Sequence, residues 1–378
     1  MTRPGLRVLT ASWPGKKEPW RARFIRDLHL DLAADFDTEL IAPQVHREDS
    51  LEEQDGPLQV RRFRYRSGGK SPRNRGAGPI AALSWLISAH RESRKWRLNS
   101  VPGVVLAHWA VPAAVIARQS ARRLNCPLIV WCHGSDVHRF GRTAFGSRLL
   151  RIGLRSADRV LAASEPMARE LQDRHGIPGV EVLPLGIDSE FLERGRSAVA
   201  EFPLKLLWVG ERIASKGYLR MLVAVDMARK KGVPLSLEVI GGGSNDFVEL
   251  EQGVEMRGPQ PPAEILKAMD RSHLLLLPSM GEGTPLVVQE AIARGLPVAS
   301  TPVGGIPDLF PDGQGWFPLE GRTDNQISSR LAELIGEVAE DEALLARSRE
   351  SLLKRELGGF SRQRSAEELR KIVSEVLR

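Results

Sequence analysis

Short apolar runs bounded by turn residues recur along the chain, and most are separated by stretches whose apolar positions return every three or four residues. In the first half the runs Leu6 to Ala11, Thr38 to Ile41, Leu58 to Phe63, Gly103 to Ala107, Leu128 to Cys132, Arg159 to Ala163 and Glu181 to Leu183 read as strands, with an amphipathic helix at Arg21 to Leu32. Between Gly186 and Pro203 the rhythm breaks into the polar stretch Asp-Ser-Glu-Phe-Leu-Glu-Arg-Gly-Arg-Ser. A second series then follows, with strands at Leu204 to Val209, Ser236 to Ile240, His273 to Leu277 and Pro297 to Ser300. Helices fit at Tyr218 to Lys231, Pro262 to Asp270, Pro285 to Arg294, Asp324 to Ala339 and Asp341 to Leu357, and Ser361 to Arg378 is again amphipathic. Alternating strands and helices specify an α/β fold with parallel sheets covered on both faces, whose ligands bind beyond the carboxyl ends of the strands. The expected division is a domain over 1–190, a linker over 191–203, a second domain over 204–360 and a last helix over 361–378.

The most informative segment is Pro278-Ser-Met-Gly-Glu282-Gly-Thr-Pro-Leu-Val-Val-Gln-Glu290. Thr284 before Pro285 reads as an N-cap followed by proline at the first helical position, so a helix starts directly after a strand. Such a helix start is an anion site, and a diphosphate is the expected occupant. Glu290 lies three and four residues after Val287 and Leu286 and is expected on their inward face, where an unpaired carboxylate would be costly. A ribose diol could supply it with two hydroxyl donors; a structural Arg is the alternative. Glu282, outside the helix, is either beside the ligand or a solvated loop acid.

With seven residues between Glu282 and Glu290, and the continuation Gly295-Leu-Pro-Val-Ala-Ser-Thr-Pro-Val-Gly-Gly-Ile-Pro, the segment resembles the E-x7-E region of the retaining glycosyltransferases of family 4. Other blocks agree in order over nearly the whole chain: Val209-Gly-Glu-Arg-Ile-Ala-Ser-Lys216-Gly217, Val239-Ile-Gly241-Gly-Gly243, and Pro184-Leu-Gly-Ile-Asp188 with Phe191. The resemblance implies a GT-B fold, two Rossmann-like domains with a central cleft and a last helix crossing back to the first domain. It assigns Glu282 to the donor sugar's hydroxyls, Glu290 to the nucleotide ribose, and the backbone of Gly283, Thr284, Pro285 and Leu286 to the sugar and diphosphate. Lys216, six residues after Gly210, matches the family's diphosphate lysine. The family's arginine position is Glu211 here, and Arg212 follows it as a candidate. Gly241 and Gly243 either let backbone approach a phosphate or form a structural turn, since Asp246 stands where a dinucleotide fingerprint needs glycine. The stretch from Gly243 to Gly258 is shorter than the family usually has.

In the first half, His108-Trp109 and His133-Gly-Ser-Asp136 follow two strands and look like the family's His-Trp and His-Gly-Ser-Asp blocks. By resemblance His133 approaches the transferred sugar, while His108, Trp109 and Asp136 lie on the acceptor side. A structural reading stays open for both histidines, and Asp136 could cap the following turn. The loop Trp13-Pro-Gly-Lys16-Lys17-Glu-Pro-Trp20 departs from the family's Gly-rich segment; Lys16 meets phosphate or a charged acceptor, or is solvated.

Charge and composition add a partner. Residues 1–200 carry 32 Lys and Arg against 21 Asp and Glu, whereas 201–378 carry 22 against 26. Arg61, Arg62, Arg64, Arg66, Lys70, Arg73 and Arg75, then Arg91, Arg94, Lys95 and Arg97 near Trp85 and Trp96, form either a solvated basic face or a contact for anionic lipid. No nucleic-acid module accompanies them, so nucleic acid is not expected as a partner. Cys126 and Cys132 read as core thiols. No apolar run approaches membrane-spanning length and the N-terminus lacks a secretory core, so a cytoplasmic location is expected, peripheral on the membrane's inner face if lipid is bound.

Together these readings predict a retaining, metal-independent transferase that moves a hexose-type sugar from a UDP- or GDP-sugar to a glycan or lipid-linked acceptor of the cell envelope. The nucleotide-sugar is a substrate and no cofactor is expected. The alternatives are a nucleotide-sugar epimerase or hydrolase on the same fold, and a non-catalytic sugar-nucleotide-binding subunit.

Overall fold

The computed structural model describes residues 3–66, 78–98, 103–193, 202–243 and 253–378. Lys70, Arg73 and Arg75 of the basic loop, residues 194–201 of the expected linker, and residues 244–252 of the shortened stretch, Asp246 among them, lie outside the described residues.

The chain forms two compact units, residues 1–185 with 362–378, and residues 186–361. The division falls at 185/186 rather than at the expected 190/191 because Ile187 and Phe191 are buried with Leu207, Ile240 and Leu275 of the second unit.

In the first unit the strands are β1 (Gly5–Thr10), β2 (Asp37–Pro43), β3 (Glu52–Asp55), β4 (Leu58–Phe63), β5 (Gly103–His108), β6 (Leu128–Cys132), β7 (Arg159–Ala162) and β8 (Val180–Val182). They form one sheet in the order β3-β4-β2-β1-β5-β6-β7-β8. Every pair is parallel except β3 with β4. The polar hairpin strand β3, Glu-Glu-Gln-Asp, has no apolar alternation, which is why the sequence pattern misses it. Leu9, Val105, Val130 and Val160 pack on one face with Trp85 and Trp96. Their neighbours Val8, Leu106, Ile129 and Leu161 are buried too and point the other way, as a period of two requires.

The last helix, Arg362–Val376, belongs to this unit and packs against the helix Arg23–Leu32. It buries Ala366, Leu369 and Val373, and Arg362 pairs with Asp31 at 2.7 Å and Arg370 with Asp35 at 2.8 Å. Asp35 and Asp37 have an Asp-x-Asp spacing of the kind some transferases use for metal. Here both serve ion pairs, Asp35 with Arg370 and Asp37 with Arg7 at 3.2 Å.

The second unit's strands are β9 (Leu204–Val209), β10 (Leu235–Ile240), β11 (Val254–Gly258), β12 (Leu274–Leu277), β13 (Val298–Ser300) and β14 (Trp316–Pro318). They form an all-parallel sheet in the order β11-β10-β9-β12-β13-β14. One face packs Leu206 and Trp208 against helices Tyr218–Lys230 and Asp324–Glu340, and the other packs Leu207 and Leu275 against helix Leu286–Ala293. The edge strands β11 and β14 were not expected: β11 is half polar, and β14, Trp-Phe-Pro, is three residues ending in proline.

Candidate functional site

In the second sheet the chain runs outward from β9 through β10 to β11 and then crosses back to β12 on the other side of β9, so the carboxyl edge opens between β9 and β12. Two loops meet there. After β9 the chain passes Gly210, Glu211 and Arg212 to a short turn, Ala214–Lys216; after β12 it runs from Pro278 to Pro285. Gly217 ends the turn at φ 74°, and a Cβ on it would lie 2.0 Å from the Pro278 carbonyl oxygen. The Met280 amide completes the join by donating to the Ser215 carbonyl at 2.9 Å.

This packing brings Lys216 and Glu282 together. The Lys216 ammonium donates to both Glu282 carboxylate oxygens, at 2.9 and 2.7 Å, and the Ser279 hydroxyl donates to Oε1 at 2.7 Å. Glu282 is buried and Lys216 about one-third exposed. Glu282 is therefore a paired acid inside the loop, which removes the reading of a solvated loop acid.

The following helix spans Leu286–Ala293, and its N-cap is Pro285 with no side-chain cap. Thr284 is not the cap, because Pro285 is extended at ψ 123° and the first turn closes from the Val288 amide to the Pro285 carbonyl at 3.2 Å. The first amides of such a helix have no acceptor within it, and their partial positive charge lies a few residues after Glu282 in the same loop. Gly283 is buried, and its carbonyl accepts from the Gly305 amide at 2.7 Å, which fixes the loop. Glu290 is half-buried together with Leu286 and Val287, while the fully buried side of the helix carries Val288, Ala291 and Ile292. The inward face expected for Glu290 is thus a flank.

Gly241 and Gly243 pack on the β9 loop. A Cβ on Gly241 would lie 1.7 Å from the Gly210 carbonyl oxygen, and the Arg212 amide donates to the Gly242 carbonyl at 2.7 Å. The missing Cβ of Gly241 is explained by this backbone contact, the structural reading of the turn. The half-buried Arg212 lies by Tyr218, whose phenol is pushed up by burial and partly drawn back by the arginine.

In the first unit, β5 ends in His108 and β6 is followed by His133. Their side chains join a third histidine in a row: His29 Nε2 lies 2.9 Å from His108 Nε2, and His108 Nδ1 lies 2.8 Å from His133 Nε2. The His108 and His133 rings stack with centroids 5.1 Å apart, and Trp109 and Phe24 meet His133 edge-on. Burial holds His29 down to about 3 and His108 well below its ordinary range, so both are neutral. Asp136 accepts from the amides of Ala110 at 2.7 Å, Gly134 at 3.0 Å and His133 at 3.3 Å. Burial raises its pKa, against those amides.

His108, Trp109 and Asp136, expected on the acceptor side, are all buried and offer a ligand no surface. They hold the loop that presents the half-buried His133. His29 was missed. It stands alone on an amphipathic helix, and no motif marks a single buried histidine. Lys16 is exposed, and its backbone amide donates to Asp49 at 2.9 Å. Cys132 is buried and Cys126 half-buried, with burial raising both thiols, Cys126 to about 11.

Two mostly parallel-sheet units, with an acid, a lysine and a helix start at the carboxyl edge of the second, define an α/β protein built on Rossmann-like sheets. The family model for Glycosyltransferase Family 4 matches residues 22–191 and that for glycosyl transferases group 1 matches residues 203–337. The chain belongs to the family 4 glycosyltransferases of GT-B fold. It is 27% identical over 235 residues to the glycosyltransferase TuaC of Bacillus subtilis, assigned to teichuronic acid biosynthesis, covering 60% of this chain. The match spans 59% of TuaC, about three fifths of that relative's length. The amylovoran biosynthesis glycosyltransferase AmsK of Erwinia amylovora is 28% identical over 243 residues, 58% of each chain. Among solved structures, HepE of Anabaena in complex with UDP-glucose superposes with a TM-score of 0.70 at 16% identity, covering 98% of this chain and 99% of that one.

Proposed function

We propose that this chain transfers a hexose-type sugar from a UDP- or GDP-sugar to a glycan or lipid-linked acceptor in cell-envelope polysaccharide synthesis, with retention of anomeric configuration and without a metal ion. The observation that carries the reading is the Lys216–Glu282 pair, with Glu282 in the loop that leads to the uncapped start of helix Leu286–Ala293. Polysaccharide-synthesis relatives and a UDP-glucose-bound neighbour support the same substrate class.

As the anomeric bond breaks, negative charge grows on the departing diphosphate, and groups that stabilise it more as it grows lower the barrier. Lys216 and the amides of Gly283 and Leu286 supply that stabilisation, with Arg212 as a further candidate. Glu282 accepts from sugar hydroxyls and keeps Lys216 oriented, and Glu290 accepts from the ribose. His133, and Lys16 on its loop, serve the transferred sugar and the acceptor. The nucleotide-sugar is a substrate, and no cofactor takes part. The excess positive charge of residues 1–200 suits work at an anionic membrane surface on the cytoplasmic side.

Thermal denaturation of the full chain with UDP, UDP-glucose, GDP and GDP-mannose tests the reading. A donor at about 100 times its Kd stabilises the native state by about 2.7 kcal/mol. A melting temperature that none of the four moves would overturn the proposal. Donor consumption at full rate with no acceptor present would point to hydrolysis or epimerisation instead.

A further inference from the structure

The helix Pro79–Ser93 is apolar on both sides. It buries Ala81, Trp85 and Ala89 in the first unit's core, each four residues from the next. Its opposite side exposes Ile80 at 66%, Leu83 at 58% and Ile87 at 42%, positions three and four apart that fall on one stripe. A helix lying on a solvated surface turns charged or polar residues outward, and one that is apolar all round is covered by something. Trp85 and Trp96, near the basic run in the sequence, are both buried, so the exposed apolar side chains of this helix are aliphatic.

Two further helices extend this surface, the first of them with exposed Gln119, Arg122 and Arg123 and no exposed large apolar side chain. Val115–Leu124 packs beside Pro79–Ser93 and Ala144–Leu154 beside Val115–Leu124. The third helix exposes Phe145 at 73% and Ile152 at 37%, with Arg148, Arg151 and Arg155 also exposed on or just beyond it. Residues 79–157 hold twelve Lys and Arg and two acids, Glu92 and Asp136. Glu92 pairs with Lys95 at 2.8 Å, and Asp136 is buried on backbone amides, so neither offsets the exposed cations. Among the described residues no helix is long and apolar enough to cross a membrane. Exposed apolar side chains beside Arg148, Arg151 and Arg155, which make no ion pair among the described residues, match a surface whose headgroups are anionic and whose interior is hydrocarbon.

We propose that this three-helix face of the first unit docks on an anionic lipid bilayer, with Ile80, Leu83, Ile87 and Phe145 entering the headgroup boundary and Arg148, Arg151 and Arg155 meeting lipid phosphates. It rests on, and localises, the membrane-surface part of the function proposed above. The choice of lipid over a second copy of the chain follows from charge: two copies would bring the same arginines face to face.

Flotation of the full chain with vesicles of phosphatidylcholine alone, and with phosphatidylglycerol added, tests it. The chain floats only with phosphatidylglycerol present. Leu83→Ser with Ile87→Ser, and separately Arg148→Glu with Arg151→Glu, each reduce the bound fraction by about tenfold. Both variants keep the melting-temperature rise given by the sugar nucleotide, which separates failure of this surface from failure of the donor reading. No flotation of the wild type, flotation unchanged in the variants, or a wild-type dimer that the same substitutions dissociate would each overturn the proposal.

Discussion

Lys216 and Glu282 form a two-pronged ion pair although 66 residues separate them, with the ammonium 2.9 and 2.7 Å from the two carboxylate oxygens. Each residue gives the other its counter-charge, and a phosphate arriving beside Lys216 would share that ammonium with Glu282. Lys216→Met is expected to lower kcat/KM by about 10²- to 10³-fold, the loss typical of a donor aimed at developing negative charge. Release of nucleoside diphosphate measures it. A variant within a fewfold of wild type would remove Lys216 from the proposed chemistry.

The two acids should separate by ligand. Glu290→Ala weakens binding of the bare nucleoside diphosphate and of the sugar nucleotide alike, whereas Glu282→Ala chiefly weakens the sugar nucleotide. Calorimetric titration with UDP and with UDP-glucose distinguishes them, and the reverse pattern would exchange their roles.

Gly241 cannot carry a side chain without moving the β9 loop, since its φ is 140° and the Gly210 carbonyl fills the Cβ position. Gly241→Ala is expected to cost more than about 1 kcal/mol, the sign of a substitution the native backbone cannot accept. Urea denaturation reads the loss.

His29 gives the protein an acid-sensitive point. Its pKa is held at about 3 in the folded chain, against 6.5 for an ordinary histidine. Between those values the unfolded chain binds a proton that the folded chain does not. The stability associated with neutral His29 is therefore complete above about pH 6.5 and falls as pH drops toward 3, at up to about 1.4 kcal/mol per pH unit for one proton. His108, also held low, adds in the same direction. His29→Leu should flatten the dependence of the urea midpoint on pH over that window; an unchanged slope would contradict the assignment.

Asp136→Ala removes the acceptor shared by three backbone amides around His133. Leaving buried amides unpaired costs about 1–3 kcal/mol each when water cannot reach them. A fall in the urea midpoint, together with lost activity, would mark Asp136 as a residue that shapes the His133 loop rather than one that touches substrate.

The second unit was more legible than the first because its chemistry sits in contiguous loops. Glu282, Glu290 and Lys216 lie in blocks with fixed spacing, and a strand followed by Thr-Pro announces a helix start even though the cap itself falls one residue later, at Pro285. The first unit's chemistry depends on pairing across strands. The His29–His108–His133 row joins a helix to two strand ends, and burial of His108, Trp109 and Asp136 follows from packing that the sequence pattern does not encode. The basic composition pointed to a lipid surface, but the neighbouring tryptophans turned out to belong to the core, and the outward apolar stripe is carried by Ile80, Leu83 and Ile87.

The helix Arg362–Val376 lies in the first unit although the whole second unit precedes it in the chain. During synthesis the acidic side of helix Arg23–Leu32, at Asp31, and Asp35 just beyond it must wait for partners made more than 300 residues later. The first-made half therefore becomes complete last, and a nascent chain stalled anywhere within residues 186–361 would present that unfinished helix to chaperones.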